Sequence, residues 1–291
     1  MGCVQASFTA HRHERHGPSR AVGRAGRPPV ILHGTEAGSG PPVVLLHGLF
    51  GASSNFGAVQ RALAATHRVA AFDLRNHGAS PHGPAMSYDD MASDVMDTMA
   101  ARGMDAAAVL GHSMGGKVAM RMALHAPGRV SRLVVADIAP VTYQHNNRTV
   151  ADALLALPLD ANLTRPQADA MLAPAVPDPG IRGFLLQNLR PGANPSWRIG
   201  LPEIAAALPG IEGWDPPTLG NNAPTYLGLT YPGPVLVVRG EHSDFVLPEH
   251  RPAFRALFPT VRFITLRNAG HWLHADAPAA FIQTVQGFLA A

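Results

Sequence analysis

The stretch Ala107-Ala108-Val109-Leu110-Gly111-His112-Ser113-Met114-Gly115 places a serine between a short apolar run and a helical pattern. Residues 111–115 match Gly-x-Ser-x-Gly, which is typical of a sharp turn from a strand into a helix. The two glycines remove side chains that would collide in such a turn. The start of the helix directs backbone N–H groups toward developing negative charge. This context predicts that Ser113 is a nucleophile.

Similar apolar runs recur along the chain and indicate a sheet. They are continuous rather than alternating, at residues 43–46, 69–72, 133–136, 235–238 and 261–264. Strands buried on both faces have this composition, which is typical of parallel sheets covered by helices. Helical spacing appears between the runs, as in Met91, Val95 and Met99. The alternation predicts an α/β fold with a mostly parallel, doubly wound sheet.

Residues 141–231 interrupt this alternation. They contain no convincing strand, but helical pieces separated by Pro and Gly occur at 149–157, 167–172, 181–189 and 202–208. The interval is too long for a connecting loop and too apolar for disorder. We interpret it as a helical cap inserted into a core formed by residues 30–140 and 232–291.

The first 29 residues differ in composition from the rest. They mix Arg, His, Gly, Pro and Ala without a period, and we expect a disordered tail. The tail holds five arginines against one glutamate, whereas the remainder holds 18 basic and 19 acidic side chains. The net charge of +3 therefore comes from the tail. A nearly neutral body argues against a nucleic-acid partner.

Other features of the sequence narrow the class of protein further. The single cysteine, Cys3, has no partner for an internal disulfide, which fits a reducing compartment. No apolar run reaches the length of a membrane span, and the N-terminus lacks the apolar region of a signal peptide. We therefore expect a cytoplasmic protein without a membrane partner. No metal-ligand spacing, dinucleotide pattern or phosphate loop is present, so we expect neither a metal nor a cofactor.

A serine nucleophile requires a base and an acid that orients it. His271, in Gly270-His271-Trp272, follows the last apolar run and is the predicted base, with His274 as the alternative. Two aspartates are candidates for the acid. Asp244 follows the penultimate run and is preferred on position, while Asp137 ends the run before it and is the alternative. Either carboxylate could instead order its own loop by bonding nearby N–H groups.

The oxyanion that forms on the substrate requires two backbone donors. One is predicted to be the N–H of Met114. The second is expected from Leu49, with Phe50 as the fallback, in the loop after the run 43–46. His47 in that loop is expected to be a structural hydrogen-bonding residue. The apolar substrate pocket is expected to include Phe50, with Trp197, Trp214 and Trp272 as further candidate walls.

Together these motifs resemble those of the α/β-hydrolase family, and more closely the YbfF-type bacterial esterases and their eukaryotic abhydrolase relatives. The resemblance rests on five stretches: LLHGLFG (45–51), DLRNHGAS (73–80), GHSMGGKVAM (111–120), DIAPVTY (137–143) and GHWLHAD (270–276). It implies an α/β-hydrolase fold with Ser113 as nucleophile and His271 as base. In the closer relatives the acid is the aspartate of DIAPV, here Asp137. This sequence has an aspartate at both positions, so the assignment of the acid stays open.

The predicted reaction is acyl transfer in two halves through an acyl-enzyme. We expect a serine carboxylesterase that acts on small-molecule esters with short to medium acyl chains. An acyl-CoA thioesterase or a carbon–carbon bond hydrolase would use the same residues. An inactive member of the fold that acts as a binding module is the alternative from a different class.

Overall fold

The computed structural model describes residues 28–291 except 145–146, 215–217, 220–222 and 225–228. The predicted disordered tail falls, up to residue 27, outside the described residues. None of the helices in the described ranges has the length and hydropathy needed to cross a membrane.

The described strands and helices alternate over most of the chain. The strands are β1 (Gly34–Ala37), β2 (Pro42–Leu46), β3 (Arg68–Phe72), β4 (Ala107–His112), β5 (Val130–Ala136), β6 (Leu189–Arg190), β7 (Ser196–Trp197), β8 (Thr218–Leu219), β9 (Ala223–Pro224), β10 (Val235–Gly240) and β11 (Val261–Leu266). The helices are α1 (Gly57–Leu63), α2 (Tyr88–Ala101), α3 (Met114–His125), α4 (Asn147–Leu155), α5 (Arg165–Leu172), α6 (Pro179–Leu186), α7 (Leu201–Glu212), α8 (Arg251–Leu257), α9 (Leu273–Asp276) and α10 (Pro278–Ala290).

Seven of these strands form one sheet in the order β1-β3-β2-β4-β5-β10-β11. Strand β1 pairs with β3 antiparallel, and every other pair is parallel. The six predicted apolar runs lie in the six parallel strands, so the prediction of a mostly parallel α/β sheet is confirmed. The prediction missed β1, because a half-exposed edge strand with the sequence Gly-Thr-Glu-Ala has no apolar run.

The core explains why the apolar runs are continuous. In β2, Val44 and Leu46 belong to the hydrophobic cluster on one face of the sheet. Val43 and Leu45 belong to the cluster on the other face. Successive residues of a strand point to opposite faces, and both faces here are covered, so every position is apolar.

The interval between β5 and β10 contains α4 to α7, which include most of the predicted helical pieces. We refer to residues 141–231 as the cap. The expectation that this interval has no strand was wrong, because β6 pairs with β7 and β8 pairs with β9. These strands have two residues each, which is too short to leave a periodic pattern in the sequence.

Candidate active site

Ser113 lies on a sharp turn between β4 and α3. Its backbone has φ 52° and ψ −121°, a conformation that costs a non-glycine residue about 1–3 kcal/mol. A Cβ on Gly111 would lie 2.1 Å from the carbonyl oxygen of Gly115, and one on Gly115 would lie 2.3 Å from that of Leu46. Both glycines are therefore required by the close packing of the turn.

The neighbouring strand brings a carboxylate beside the serine. His112 at the end of β4 is in register with Ala136 at the end of β5. Ser113 and Asp137, the next residues on each strand, therefore share the carboxyl edge of the sheet. Asp137 also has a positive φ of 54°, and its side chain is fully buried.

Three groups bond the carboxylate of Asp137. Nδ1 of His271 lies 2.8 Å from Oδ2 of Asp137. The N–H of Gly240 donates to Oδ1 at 3.0 Å, and the hydroxyl of Ser243 donates to Oδ2. Because the carboxylate accepts from Nδ1–H, Nε2 of His271 is left to accept a proton.

The preference for Asp244 as the partner of His271 was wrong. No hydrogen bond joins these two residues in the described structure, and Asp244 is exposed on the loop after β10. The reason is geometric. Strand β5 lies next to β4 and ends in register with it, whereas Asp244 lies four residues beyond the end of β10. The alternative, Asp137, is the aspartate that contacts His271.

Two further contacts hold the ring and backbone of His271. The ring of Phe245 stacks on the imidazole, with centroids 3.7 Å apart and planes 18° apart. The ring of His112 donates from Nε2 to the carbonyl of His271 at 2.8 Å. Ser113 and His271 line the same pocket, but no hydrogen bond joins them in the described structure. Catalytic hydrogen bonds often tighten only when substrate is bound.

The candidate oxyanion donors differ in their availability. Met114 is the first residue of α3, where N–H groups have no acceptor within the helix. Within the described ranges, no acceptor contacts the N–H of Leu49. The N–H of Phe50 donates to Nε2 of His77 at 3.1 Å, so the fallback donor is already used.

His47 and His77 are held as neutral rings in the loops beside the serine. Nδ1–H of His47 donates to the carbonyl of Gly48 at 2.8 Å, and its Nε2 accepts from the N–H of Leu74 at 2.9 Å. Nδ1–H of His77 donates to the carbonyl of Arg75 at 2.9 Å. Burial lowers the pKa of His47 and lowers the pKa of His77 to about 3. Both rings therefore tie loops together rather than transfer protons.

A pocket of about 1070 Å³ lies above the serine, between the sheet edge and the cap. Phe50 and Trp272 line it, and α6 contributes Ile181, Phe184 and Leu185. The prediction that Trp197 is a wall was wrong, as was the one for Trp214. Among described residues the lining includes neither, because Trp197 packs against the main core cluster from β7 and Trp214 is buried in that cluster.

Several residues at the site carried no sequence signal. Ser243 and Phe245 flank Asp244, and they, rather than Asp244, contact Asp137 and His271. Asn188, between α6 and β6, bonds the carbonyl of Phe50 from the cap. A single Ser, Phe or Asn in a loop has no periodicity or motif, so only the folded structure reveals these contacts.

Comparisons with known proteins agree with this fold. The model of the alpha/beta hydrolase family matches residues 43–284. The chain belongs to the α/β hydrolase family, as the motifs predicted. It is 39% identical over 260 residues to mouse sn-1-specific diacylglycerol lipase ABHD11, covering 86% of this chain and 81% of that one. It is 35% identical over 249 residues to Esterase YbfF of Escherichia coli K12, covering 85% and 92%. A solved structure of a marine microorganism esterase superposes with a TM-score of 0.83 at 31% identity, covering 89% and 99%.

Proposed function

We propose that the protein is a serine carboxylesterase that uses Ser113, His271 and Asp137. The hydrogen bond from Nδ1 of His271 to Asp137, at the edge of the pocket that Ser113 lines, carries this proposal. It leaves Nε2 of the imidazole free to act as the base for Ser113, which lies on a strained turn in the same pocket.

In the proposed mechanism, His271 removes the proton of Ser113 as its oxygen attacks the ester carbonyl. The negative charge that develops on the carbonyl oxygen is stabilised by the N–H groups of Met114 and Leu49. His271 then protonates the leaving alcohol, which leaves an acyl-enzyme. Water activated by the same imidazole releases the acid and restores Ser113. Asp137 holds the tautomer of His271 and stabilises its protonated form.

The substrate class is proposed from the pocket. Phe50, Trp272 and the apolar face of α6 suit an acyl chain of short to medium length. The name of the mouse relative, a diacylglycerol lipase, favours a longer acyl glyceride as the second candidate. The relative kcat/KM for 4-nitrophenyl esters of increasing chain length and for a diacylglycerol separates the two. A matched oxygen ester and thiol ester of one acyl group distinguishes an esterase from a thioesterase.

The decisive test is the loss of Ser113. We expect Ser113→Ala to lower kcat for 4-nitrophenyl butyrate by at least about 10⁴-fold. A fluorophosphonate probe should label the wild-type protein at Ser113, as read by peptide mass spectrometry. Ser54→Ala, which alters an exposed serine in the 3₁₀ turn Ser53–Phe56, serves as the control and should retain activity and labelling. Unlabelled, inactive wild-type protein would contradict the proposal and favour a binding module.

A further inference from the structure

The loop formed by residues 47–51, here named the oxyanion loop, is held by bonds to its carbonyl groups. The carbonyl of Gly48 accepts from Nδ1–H of His47 at 2.8 Å and from the N–H of Gly51 at 3.0 Å. A peptide unit is planar, and its N–H points opposite to its C=O. The two bonds to the Gly48 carbonyl therefore direct the N–H of Leu49, which shares that peptide plane, away from them.

A hydrogen bond from the cap also holds the oxyanion loop. The N–H of Gly51 shares a peptide plane with the carbonyl of Phe50. That carbonyl accepts from Nδ2 of Asn188 at 2.7 Å. Asn188 thus holds the carbonyl of the Phe50–Gly51 peptide, and the N–H of the same peptide donates to the carbonyl of Gly48. The orientation of the Gly48 carbonyl in turn sets the direction of the Leu49 N–H.

The backbone of Phe50 needs such restraint. Its φ is 59°, a left-handed conformation that is costly for a bulky side chain. Its N–H bonds His77 from the core, and its carbonyl bonds Asn188 from the cap. Both backbone polar groups of this one strained residue are therefore held by hydrogen bonds, one from the core and one from the cap.

We propose that Asn188 is a positioning residue that orients the N–H of Leu49 toward the oxyanion. Asn188 is 5% exposed, and its amide also donates to the carbonyl of Leu185 at 3.2 Å, which fixes its orientation at the end of α6. The cap thereby completes the oxyanion hole as well as covering the acyl chain. This inference rests on the proposed function, because it assigns Asn188 a role in that reaction.

The proposal predicts a selective kinetic effect. The oxyanion exists in the transition state and not in the bound ester, so loss of orientation lowers kcat and leaves KM nearly unchanged. Removing an oxyanion donor outright costs about 10²–10³-fold. Misdirecting one donor should cost less, and we expect Asn188→Leu and Asn188→Asp each to lower kcat by at least about 10-fold. Both substitutions remove the amide donor, and the second keeps the shape of the side chain.

A pair of inhibitors separates positioning from simple packing. An alkyl trifluoromethyl ketone accepts the oxygen of Ser113 at its carbonyl carbon, the serine proton passes to His271, and the carbonyl oxygen becomes an oxyanion. The matching methyl ketone is a poor acceptor and reports binding in the pocket. In the Asn188 variants the affinity for the trifluoromethyl ketone should fall by the same factor as kcat/KM, and the affinity for the methyl ketone should stay within about twofold.

Arg165→Met is the matched control. The guanidinium of Arg165 donates to the carbonyls of Leu186 and Leu189, on either side of Asn188, and does not contact the oxyanion loop. We expect this variant to retain kcat and both inhibitor affinities. Thermal unfolding identifies which Asn188 variant is folded, and the isosteric Asp variant is decisive if the Leu variant is not.

The outcomes distinguish the two proposals. A folded Asn188 variant with wild-type kcat and trifluoromethyl ketone affinity, in an active enzyme, would overturn the positioning role alone. Equal losses for both ketones, or an equal loss in Arg165→Met, would also overturn it, because they indicate disruption of the cap. Wild-type protein that neither hydrolyses esters nor binds the trifluoromethyl ketone would overturn the proposed function and this inference together.

Discussion

Asp137 is a buried carboxylate that receives hydrogen bonds from an imidazole, a hydroxyl and a backbone N–H. At the scale of one residue, the substitution Asp137→Asn replaces this carboxylate by an amide, which would present an N–H or a neutral oxygen to His271. An amide N–H facing Nδ1 favours the tautomer that carries the proton on Nε2, and a neutral amide oxygen stabilises the protonated imidazole less than a carboxylate does. We expect kcat for 4-nitrophenyl butyrate to fall by about 10³–10⁴-fold, with little change in KM.

Asp244→Asn provides the matched control for this prediction. Its side chain is exposed and makes no hydrogen bond with His271, so we expect kcat within about twofold of wild type. A large loss in Asp244→Asn, with activity retained in Asp137→Asn, would reverse the assignment of the acid.

At the scale of an element, the C-terminal end of α7 is held by donors from outside that helix. The hydroxyl of Tyr88 donates to the carbonyl of Ile211 at 2.5 Å. The ammonium of Lys117 donates to the carbonyls of Glu212 at 3.3 Å and Gly213 at 2.6 Å. These are carbonyls that a helix leaves without intrahelical partners, and a cation favours the negative end of the helix dipole. Because Lys117 lies in α3, this contact ties the cap to the helix that follows the nucleophile.

Lys117→Met keeps the length of the stem and removes the charged donor. We expect the free energy of local opening at the end of α7 to fall by about 1.5–3 kcal/mol, the contribution of a hydrogen bond from a charged group. Amide hydrogen exchange of α7 relative to the central sheet measures this change. Arg148→Met removes an exposed pair with Asp152 in α4 and should change exchange by less than about 0.5 kcal/mol. Equal protection of α7 in wild type and Lys117→Met would contradict the role of the ammonium.

At the scale of the whole molecule, the sequence could predict those features of the fold and site that depend on a local pattern of residues. Continuous apolar runs predicted the six parallel strands, and the flanking strand and helix predicted the turn at Ser113. The acid could not be decided in this way, because the choice between Asp137 and Asp244 depends on which strand lies beside β4. The bond from Asn188 to Phe50 joins residues 138 positions apart, so no local pattern encodes it. Pairing between distant segments is a property of the fold.

Buried histidines make the stability of the whole fold depend on pH. Burial lowers the pKa of His47 and of His112, lowers that of His77 to about 3 and lowers that of His274 to about 4. In the unfolded chain each has a pKa of about 6.5. Between the native and the unfolded pKa of each histidine, the unfolded chain binds a proton that the native state does not. The contribution of these histidines to the free energy of unfolding is therefore fully present above about pH 6.5 and is lost as pH falls. Each such histidine contributes up to about 1.4 kcal/mol per pH unit, which urea unfolding between pH 7 and pH 4.5 measures.

One variant tests the contribution of a single histidine to this pH dependence of stability. His274 packs between Phe56 and His112, and an apolar side chain can fill that space without a titrating group. We expect His274→Leu to lower the slope of unfolding free energy against pH by about 1 kcal/mol per pH unit between pH 4.5 and 6. His242→Gln, at an exposed ring, is the control for the loss of a histidine outside the core. If His274→Leu had the wild-type slope, protonation of His274 would not be linked to unfolding, and the acid sensitivity of the fold would have to come from other groups.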